Sequence, residues 1–134
     1  MLTALPLLLV PVVLYNVIAF GGLAPLGEVL FALPLASGAT WMVTVSDAVI
    51  TLAVALLFVE ILKATRTGTI SIFDHALSTL LLVIVILEFV LVPEAATSTF
   101  FILGLIILVD VVAGYSVTIR AARRDFAVGQ GGAL

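Results

Sequence analysis

FFILGLIILVDVVAGYSV, residues 100–117, is the stretch that decides the fold, and it is almost entirely apolar around one central acid. Eleven of the thirteen residues from Phe100 to Val112 are Phe, Ile, Leu or Val. Each of these favours membrane insertion by about 0.3–0.6 kcal/mol, which together outweighs the cost of about 3 kcal/mol for Asp110. The stretch is therefore predicted to be a transmembrane helix that carries a carboxyl group.

The composition of the whole chain also indicates a membrane protein. Hydrophobic residues make up 64% of the 134 residues and charged residues 10%, against about 25% charged residues in ordinary globular proteins. The mean hydropathy is +1.45. The chain has no cysteine, which excludes disulfides and thiolate metal sites, and its five basic residues are too few to indicate a nucleic-acid partner.

The apolar runs predict an all-α membrane protein with four transmembrane helices, since each span needs about 20 apolar residues. They cover approximately residues 2–20, 46–64, 71–92 and 98–120. No Lys or Arg precedes the first run, as a secretory signal peptide normally requires, so this run is interpreted as a retained span. Pro11 is predicted to kink it. Residues 1–126 then form one domain, and the glycine-rich residues 127–134 form a flexible cytoplasmic tail.

Polar residues just before the apolar runs are typical of helix caps. The second helix is predicted to be capped by Ser46 or Asp47. In the third, SIFD matches the capping-box spacing of a serine followed three residues later by an acid, here Ser71 and Asp74. The fourth is predicted to be capped by Thr97 or Ser98.

The segment between the first two spans has a different pattern. TWMVTVS, residues 40–46, alternates with a period of two, and LFALPL, residues 30–35, precedes it across a Ser-Gly turn. This predicts a short extracytoplasmic β-hairpin, with an interfacial or re-entrant helix as the alternative. In either case Trp41 is expected to be an anchor at the level of the lipid headgroups.

The basic residues predict the orientation. They all lie between spans two and three or after span four, which is one side of a four-span protein; they are Lys63, Arg66, Arg120, Arg123 and Arg124. The positive-inside rule assigns this side to the cytoplasm. Both termini are then cytoplasmic.

Several acids and one amide are candidates for intramembrane polar groups. Glu60 is expected to pair with Lys63 three residues on. Asp74, Ser78, Leu81, Val85 and Glu88 share one stripe of the third helix. Asp47, Asp74 and His75 are interpreted as groups near the membrane surface, and the candidates within the membrane are Asp110, Glu88, Glu60 and Asn16.

Asp110 has no basic residue of this chain at its expected depth, so an ion pair within the chain is not expected. Three outcomes are open for its carboxyl group. It is protonated and hydrogen-bonded to a residue such as Asn16, Tyr15 or Thr51, it faces a wet cavity or pore, or it meets a basic or polar partner on another chain. Ala113 and Gly114, one turn on, are predicted to be a face for close helix packing.

Four stretches resemble short four-span inner-membrane proteins of alphaproteobacteria whose function is not assigned. They are SGATW (37–41), EILKATRTG (60–68), DHALS (74–78) and ARRDF (122–126). The resemblance covers residues 36–126 and implies a bacterial inner membrane. It supplies no activity, cofactor or catalytic residue.

The function expected first is a structural or accessory membrane subunit that forms homo-oligomers or docks on a larger membrane complex. The alternative is a homo-oligomer that conducts protons or cations through Asp110 with Glu88 or Glu60. A third possibility is a passive bundle in which the acids serve folding only. We predict no enzymatic activity, because one histidine and scattered acids make no catalytic set. No cofactor, metal or nucleic acid is expected, and the partner common to all these interpretations is the lipid bilayer.

Overall fold

The computed structural model of the chain describes residues 5–65 and 69–130. Within these ranges it contains four α-helices and one antiparallel pair of strands. In chain order the elements are α1 (Leu9–Gly21), β1 (Val29–Pro34), β2 (Thr40–Thr44), α2 (Val45–Ala64), α3 (Thr69–Leu91) and α4 (Ser98–Gln130). A 3-10 turn at Pro93–Ala95 joins α3 to α4. The predicted hairpin between the first two helices is confirmed, and the helical alternative is wrong.

Three of the described helices are long and apolar enough to cross a membrane, at 45–64, 72–91 and 98–120. The first helix is shorter than the sequence indicated. α1 has 13 residues, a length of about 20 Å at 1.5 Å per residue, whereas the hydrocarbon core of a bilayer is about 30 Å thick. Helix length alone therefore supports three spans and leaves α1 as a short apolar helix.

The start of α1 accounts for its length. The helix begins at Leu9, so Pro11 lies in its first turn, where backbone N–H groups have no acceptor within the helix. Pro11 was expected inside a longer helix, as a source of a kink; in the first turn its missing N–H costs nothing. At the other end Gly22 adopts a left-handed backbone conformation, with φ of 61°, and ends the helix.

The helix caps agree only partly with the sequence patterns. Thr44 caps α2 in a capping box, in which its side chain accepts from the Asp47 N–H and the Asp47 side chain accepts from the Thr44 N–H. The predicted cap at Ser46 or Asp47 is wrong, because Ser46 is used elsewhere: its hydroxyl lies 2.7 Å from that of Thr99 on α4. Thr97 does cap α4, and accepts from the Phe100 N–H at 3.2 Å.

α3 begins two residues before the predicted cap at Ser71. Asp74 is therefore in the second turn of α3 rather than at the third position after a capping serine, and the predicted capping box is wrong. The predicted stripe along α3 is buried as far as Val85, through Asp74, Ser78 and Leu81. This stripe is the face that α3 turns toward the bundle.

α4 lies at the centre of the bundle and packs against both α2 and α3. α1 makes fewer contacts, with α2 and α4. The apolar core is formed by side chains of all four helices, among them Tyr15, Val49, Val85, Phe100 and Ile107. α4 continues to Gln130, four residues into the segment predicted as a flexible tail, and residues 131–134 lie outside the described chain.

Candidate functional site

The ends of α2 and α3 meet at one end of the bundle, because only four residues separate the two helices. Their polar residues converge there with one residue of α4. We call this group the polar cluster, and it consists of Glu60, Lys63, Asp74, Ser78 and Asp110. The three acids are almost fully buried, with relative exposures of 2% for Glu60, 6% for Asp74 and 5% for Asp110.

Lys63, in the last turn of α2, is the centre of the cluster. Its Nζ lies 3.0 Å from Oε2 of Glu60 and 3.1 Å from Oδ1 of Asp74. It also donates a hydrogen bond to the backbone carbonyl of Leu5 at 3.2 Å. A lysine ammonium has three N–H donors, so all three have an acceptor. The predicted pair between Glu60 and Lys63 is confirmed, and Asp74 is a second partner that the sequence did not indicate.

Glu60 connects the cluster to the chain segment before α1. One of its carboxylate oxygens pairs with Lys63, and the other, Oε1, accepts a hydrogen bond from the backbone N–H of Leu7. Leu5 and Leu7 thus contribute main-chain atoms from a segment that the sequence describes only as apolar. These bonds hold the start of α1 against the end of α2.

Asp110 reaches the cluster from α4. Ser78 on α3 hydrogen-bonds its carboxyl group, and the charges of Glu60, Asp74 and Lys63 are close enough to act on it. The sequence placed no basic residue at this depth. Within the described residues both ion pairs belong to Lys63 and neither includes Asp110, yet the packing of α2 on α4 brings the Lys63 charge within electrostatic range. The partners expected for a protonated Asp110 were Asn16, Tyr15 or Thr51, whereas its hydrogen-bond partner is Ser78.

One turn farther toward the same end, α3 and α4 approach each other closely at Gly114. A Cβ atom at Gly114 would lie 2.7 Å from Cε1 of His75, so only glycine leaves room for this ring. His75 is buried, and its Nε2 lies 2.7 Å from the hydroxyl of Thr118. The close packing predicted at Gly114 therefore serves a contact inside the chain, and Ala113 beside it is half-buried.

The remaining predicted residues lie apart from the cluster. Glu88 is half-buried ten residues beyond Ser78 on α3, a distance of about 15 Å along the helix. Asn16 lies on α1, and its buried side-chain oxygen has no hydrogen-bond partner among the described residues. Trp41 is half-exposed on β2. Of the arginines, Arg120 and Arg123 are exposed, while the side chains of Arg66 and Arg124 lie outside the described part of the structure.

Sequence reasoning missed three contacts between helices. These are Asp74 with Lys63, Ser78 with Asp110, and Thr118 with His75. Asp74 and His75 were interpreted as groups near the membrane surface, but both are buried among helices. The stripe that begins with Asp74 and Ser78 was the available indication, because ionisable residues within membrane helices almost always face the interior of the bundle.

The cluster holds three carboxyl groups and one ammonium group, so its charge is unbalanced. In the described residues no three His, Asp or Glu side chains are grouped as ligands for a metal ion. Proton binding is the chemistry that this donor set supports, because burial disfavours an excess of negative charge and a proton removes it.

Comparison with models of protein families, with curated proteins and with solved structures gives no match. Functional interpretation therefore depends on the chemistry of the site itself.

Proposed function

We propose that this protein is a small integral membrane protein that binds and releases protons at the polar cluster. The observation that carries the proposal is that three buried carboxyl groups lie beside a single lysine, which forms ion pairs with only two of them. If all three were ionised, the cluster would hold a net charge of about −2 away from bulk water, which is unfavourable.

Asp110 is the carboxyl group that we assign to proton binding. Glu60 and Asp74 each have a direct ion pair with Lys63, and Lys63 has no donor left for another acceptor. Asp110 is hydrogen-bonded by a neutral hydroxyl, that of Ser78. A proton on Asp110 lowers the excess charge and leaves the two ion pairs intact.

The cluster has access to one side of the membrane. Lys63 is partly exposed at its end of α2, whereas the core beyond Asp110 toward the hairpin is apolar and includes Leu81, Val85 and Leu103. This arrangement favours proton storage or sensing at one face. The alternative function expected from the sequence was conduction across the membrane. Conduction requires the apolar core between Asp110 and the hairpin to open.

The side that the protons reach follows from the charges. Lys63, Arg120 and Arg123 lie toward the end of the bundle that is opposite to the hairpin. By the positive-inside rule we assign this end to the cytoplasm of a bacterial inner membrane. Both termini are then cytoplasmic, and the hairpin is outside.

Infrared spectroscopy of the protein in lipid nanodiscs tests the proton site. We expect the wild type to show a protonated-carboxyl band that decreases as the pH rises. Asp110→Asn keeps a hydrogen-bonding side chain but does not titrate, so this variant is expected to lose the band. Glu88→Gln, a matched change on α3 outside the cluster, should keep it.

The proposal fails if the wild-type and Asp110→Asn spectra are the same over the whole pH series. A second measurement separates binding from conduction. Proteoliposomes under a pH gradient are compared with empty liposomes, and a proton flux that Asp110→Asn abolishes would support conduction.

Self-association is a second candidate function, and the length of α1 favours it. A helix of about 20 Å is roughly 10 Å shorter than the hydrocarbon core, and such a mismatch is relieved by oligomerisation or by thinning of the bilayer. The face of α1 that includes Val10, Val13 and Val17 is exposed and apolar. We assign this face to contact with a second copy, because it belongs to the helix that is too short for the bilayer.

The oligomeric state tests this second candidate. Val13→Trp places a bulky side chain in the middle of the proposed contact and should reduce the mass measured by light scattering in mild detergent. Val83→Trp, on an equally exposed position of α3, is the control. A monomeric wild type, or equal masses for both variants, would contradict the assignment to α1.

A further inference from the structure

The hairpin formed by β1 and β2 exposes apolar side chains on both of its faces. Leu33 is paired with Trp41 in the strand register, and Ala32 with Met42, so these pairs lie on opposite faces. Trp41 is 49% exposed and Met42 54%. Every residue of β1 is exposed as well. Among the described residues only the base of the hairpin, at Val43, is buried, and both faces of its outer part are left uncovered by the bundle.

The hairpin also lacks charge. Residues 29–46 contain no Asp, Glu, Lys or Arg, although Glu28 and Asp47 flank them directly. A two-stranded hairpin has marginal stability in water, and exposed apolar patches on a monomer usually mark a binding surface. The absence of charge indicates an apolar partner rather than a charged one.

The position of the hairpin identifies this partner. Thr44, the last residue of β2, is the cap of α2, and the apolar span begins at Val45 with no linker between them. The strands therefore leave the bundle at the membrane boundary itself.

Pairing of β1 with a strand of a second copy is less favourable than binding to lipid. The register shifts between Val29 and Phe31, which is a β-bulge, and Pro34 has no N–H to donate. Bulges and prolines on an edge strand block the addition of another strand. The remaining unpaired backbone groups also exclude the hydrocarbon core, where they would find no partner.

We propose that the hairpin binds the lipid bilayer at the boundary between headgroups and acyl chains, in the leaflet at the hairpin end of the bundle. Its apolar side chains enter the upper acyl region, while water and headgroups hydrogen-bond the strand edges. Because the hairpin carries no charge, this binding is independent of headgroup charge and of salt. The inference does not rest on the proposed proton site, and either one can fail alone.

Trp41 reports the position of the hairpin, because it is the single tryptophan of the chain. The full-length protein is reconstituted in phosphatidylcholine vesicles with or without phosphatidylglycerol. Its fluorescence is quenched either by bromine on the upper acyl chain or by aqueous iodide. We expect strong quenching by the brominated lipid, weak quenching by iodide, and the same result with both lipid compositions.

Leu33→Asp tests the face that Leu33 shares with Trp41. The added charge should move the hairpin toward water, so quenching by iodide should rise several-fold and quenching by brominated lipid should fall. Ala96→Asp adds the same charge to the exposed connection between α3 and α4 and should change neither value.

Two results in the wild type would overturn the inference. Quenching by iodide and not by brominated lipid would show that the hairpin projects into water. Protection from both quenchers, with crosslinking of Trp41→Cys between copies or to another protein, would show that protein covers the hairpin.

Discussion

The two ends of the bundle are held together by different groups. At the end opposite the hairpin, which we call the basic end, the charged Lys63 links α2 to α3 and to the segment before α1. At the hairpin end, neutral hydroxyl groups link the helices. There the hydroxyl of Tyr15 bonds the carbonyl of Glu94 at 2.9 Å and lies 2.6 Å from Oγ1 of Thr97. Its ring packs on Phe100, with 4.8 Å between the ring centroids. Polar groups link the helices at both ends, but among the described residues the buried acids lie at the basic end.

The comparison indicates that the two ends respond differently to the loss of one group. Removal of a neutral hydroxyl group lowers the free energy of unfolding by about 0.5–1.5 kcal/mol for each hydrogen bond lost. Removal of one member of a buried ion pair leaves its partner charged and without a counter-ion, which costs about 3–5 kcal/mol. The basic end should therefore be the more sensitive to substitution and to proton binding.

The largest effect is expected for Lys63→Met. This change leaves Glu60 and Asp74 buried without their counter-charge, and we expect a loss of about 3 kcal/mol in the free energy of unfolding. The thermal midpoint followed by circular dichroism in mild detergent should fall far below that of the wild type. Arg123→Met removes an exposed charge and serves as the control, and equal midpoints for the two variants would contradict the central role of Lys63.

A smaller effect is expected for Gly114→Ala at the basic end. Its Cβ would lie 2.8 Å from Nδ1 of His75, and overpacking of this kind costs about 1–3 kcal/mol. Gly104→Ala, on the same helix nearer the hairpin end, places its Cβ at an ordinary 3.5 Å from Val85 and should be neutral. The same thermal measurement checks both, and the prediction is wrong if the two alanines behave alike.

The smallest effect is expected at the hairpin end, for Tyr15→Phe. The variant keeps the ring against Phe100 but loses both hydrogen bonds of the hydroxyl group. We expect the free energy of unfolding to fall by about 1 kcal/mol. Tyr115→Phe is the control, because Tyr115 is exposed and its hydroxyl lies 3.2 Å from that of Thr79. A fall in the thermal midpoint as large as that of Lys63→Met would remove the contrast between the two ends.

Patterns of the sequence predicted the elements better than their boundaries. Alternation around Trp41 was enough to predict the hairpin, because a period of two is specific to strands. The cap of α2 was misplaced by two or three residues, because TVSD, residues 44–47, offers three side chains that can cap a helix, those of Thr44, Ser46 and Asp47. Ser46 turns to Thr99 on α4, so Thr44 remains for the cap.

Only one part of the polar cluster was predictable from the sequence. The pair of Glu60 with Lys63 follows from spacing on one helix, which the sequence carries directly. Asp74 and Asp110 join it from other helices, and their distances to Lys63 depend on how α3 and α4 pack. The sequence indicates how far along its helix a residue lies, but not toward which neighbouring helix its side chain points.

The sequence by itself determined that long apolar helices dominate the chain, that a hairpin separates the first two, and that the basic residues gather toward one end. Local periodicity and composition are sufficient for these properties, since they arise within single segments. Only the tertiary structure decided that Asp74 is buried, that Gly114 receives His75, and that Asp110 belongs with Glu60 and Lys63. These properties depend on contacts between helices, which form where side-chain shapes and charges from distant segments fit together.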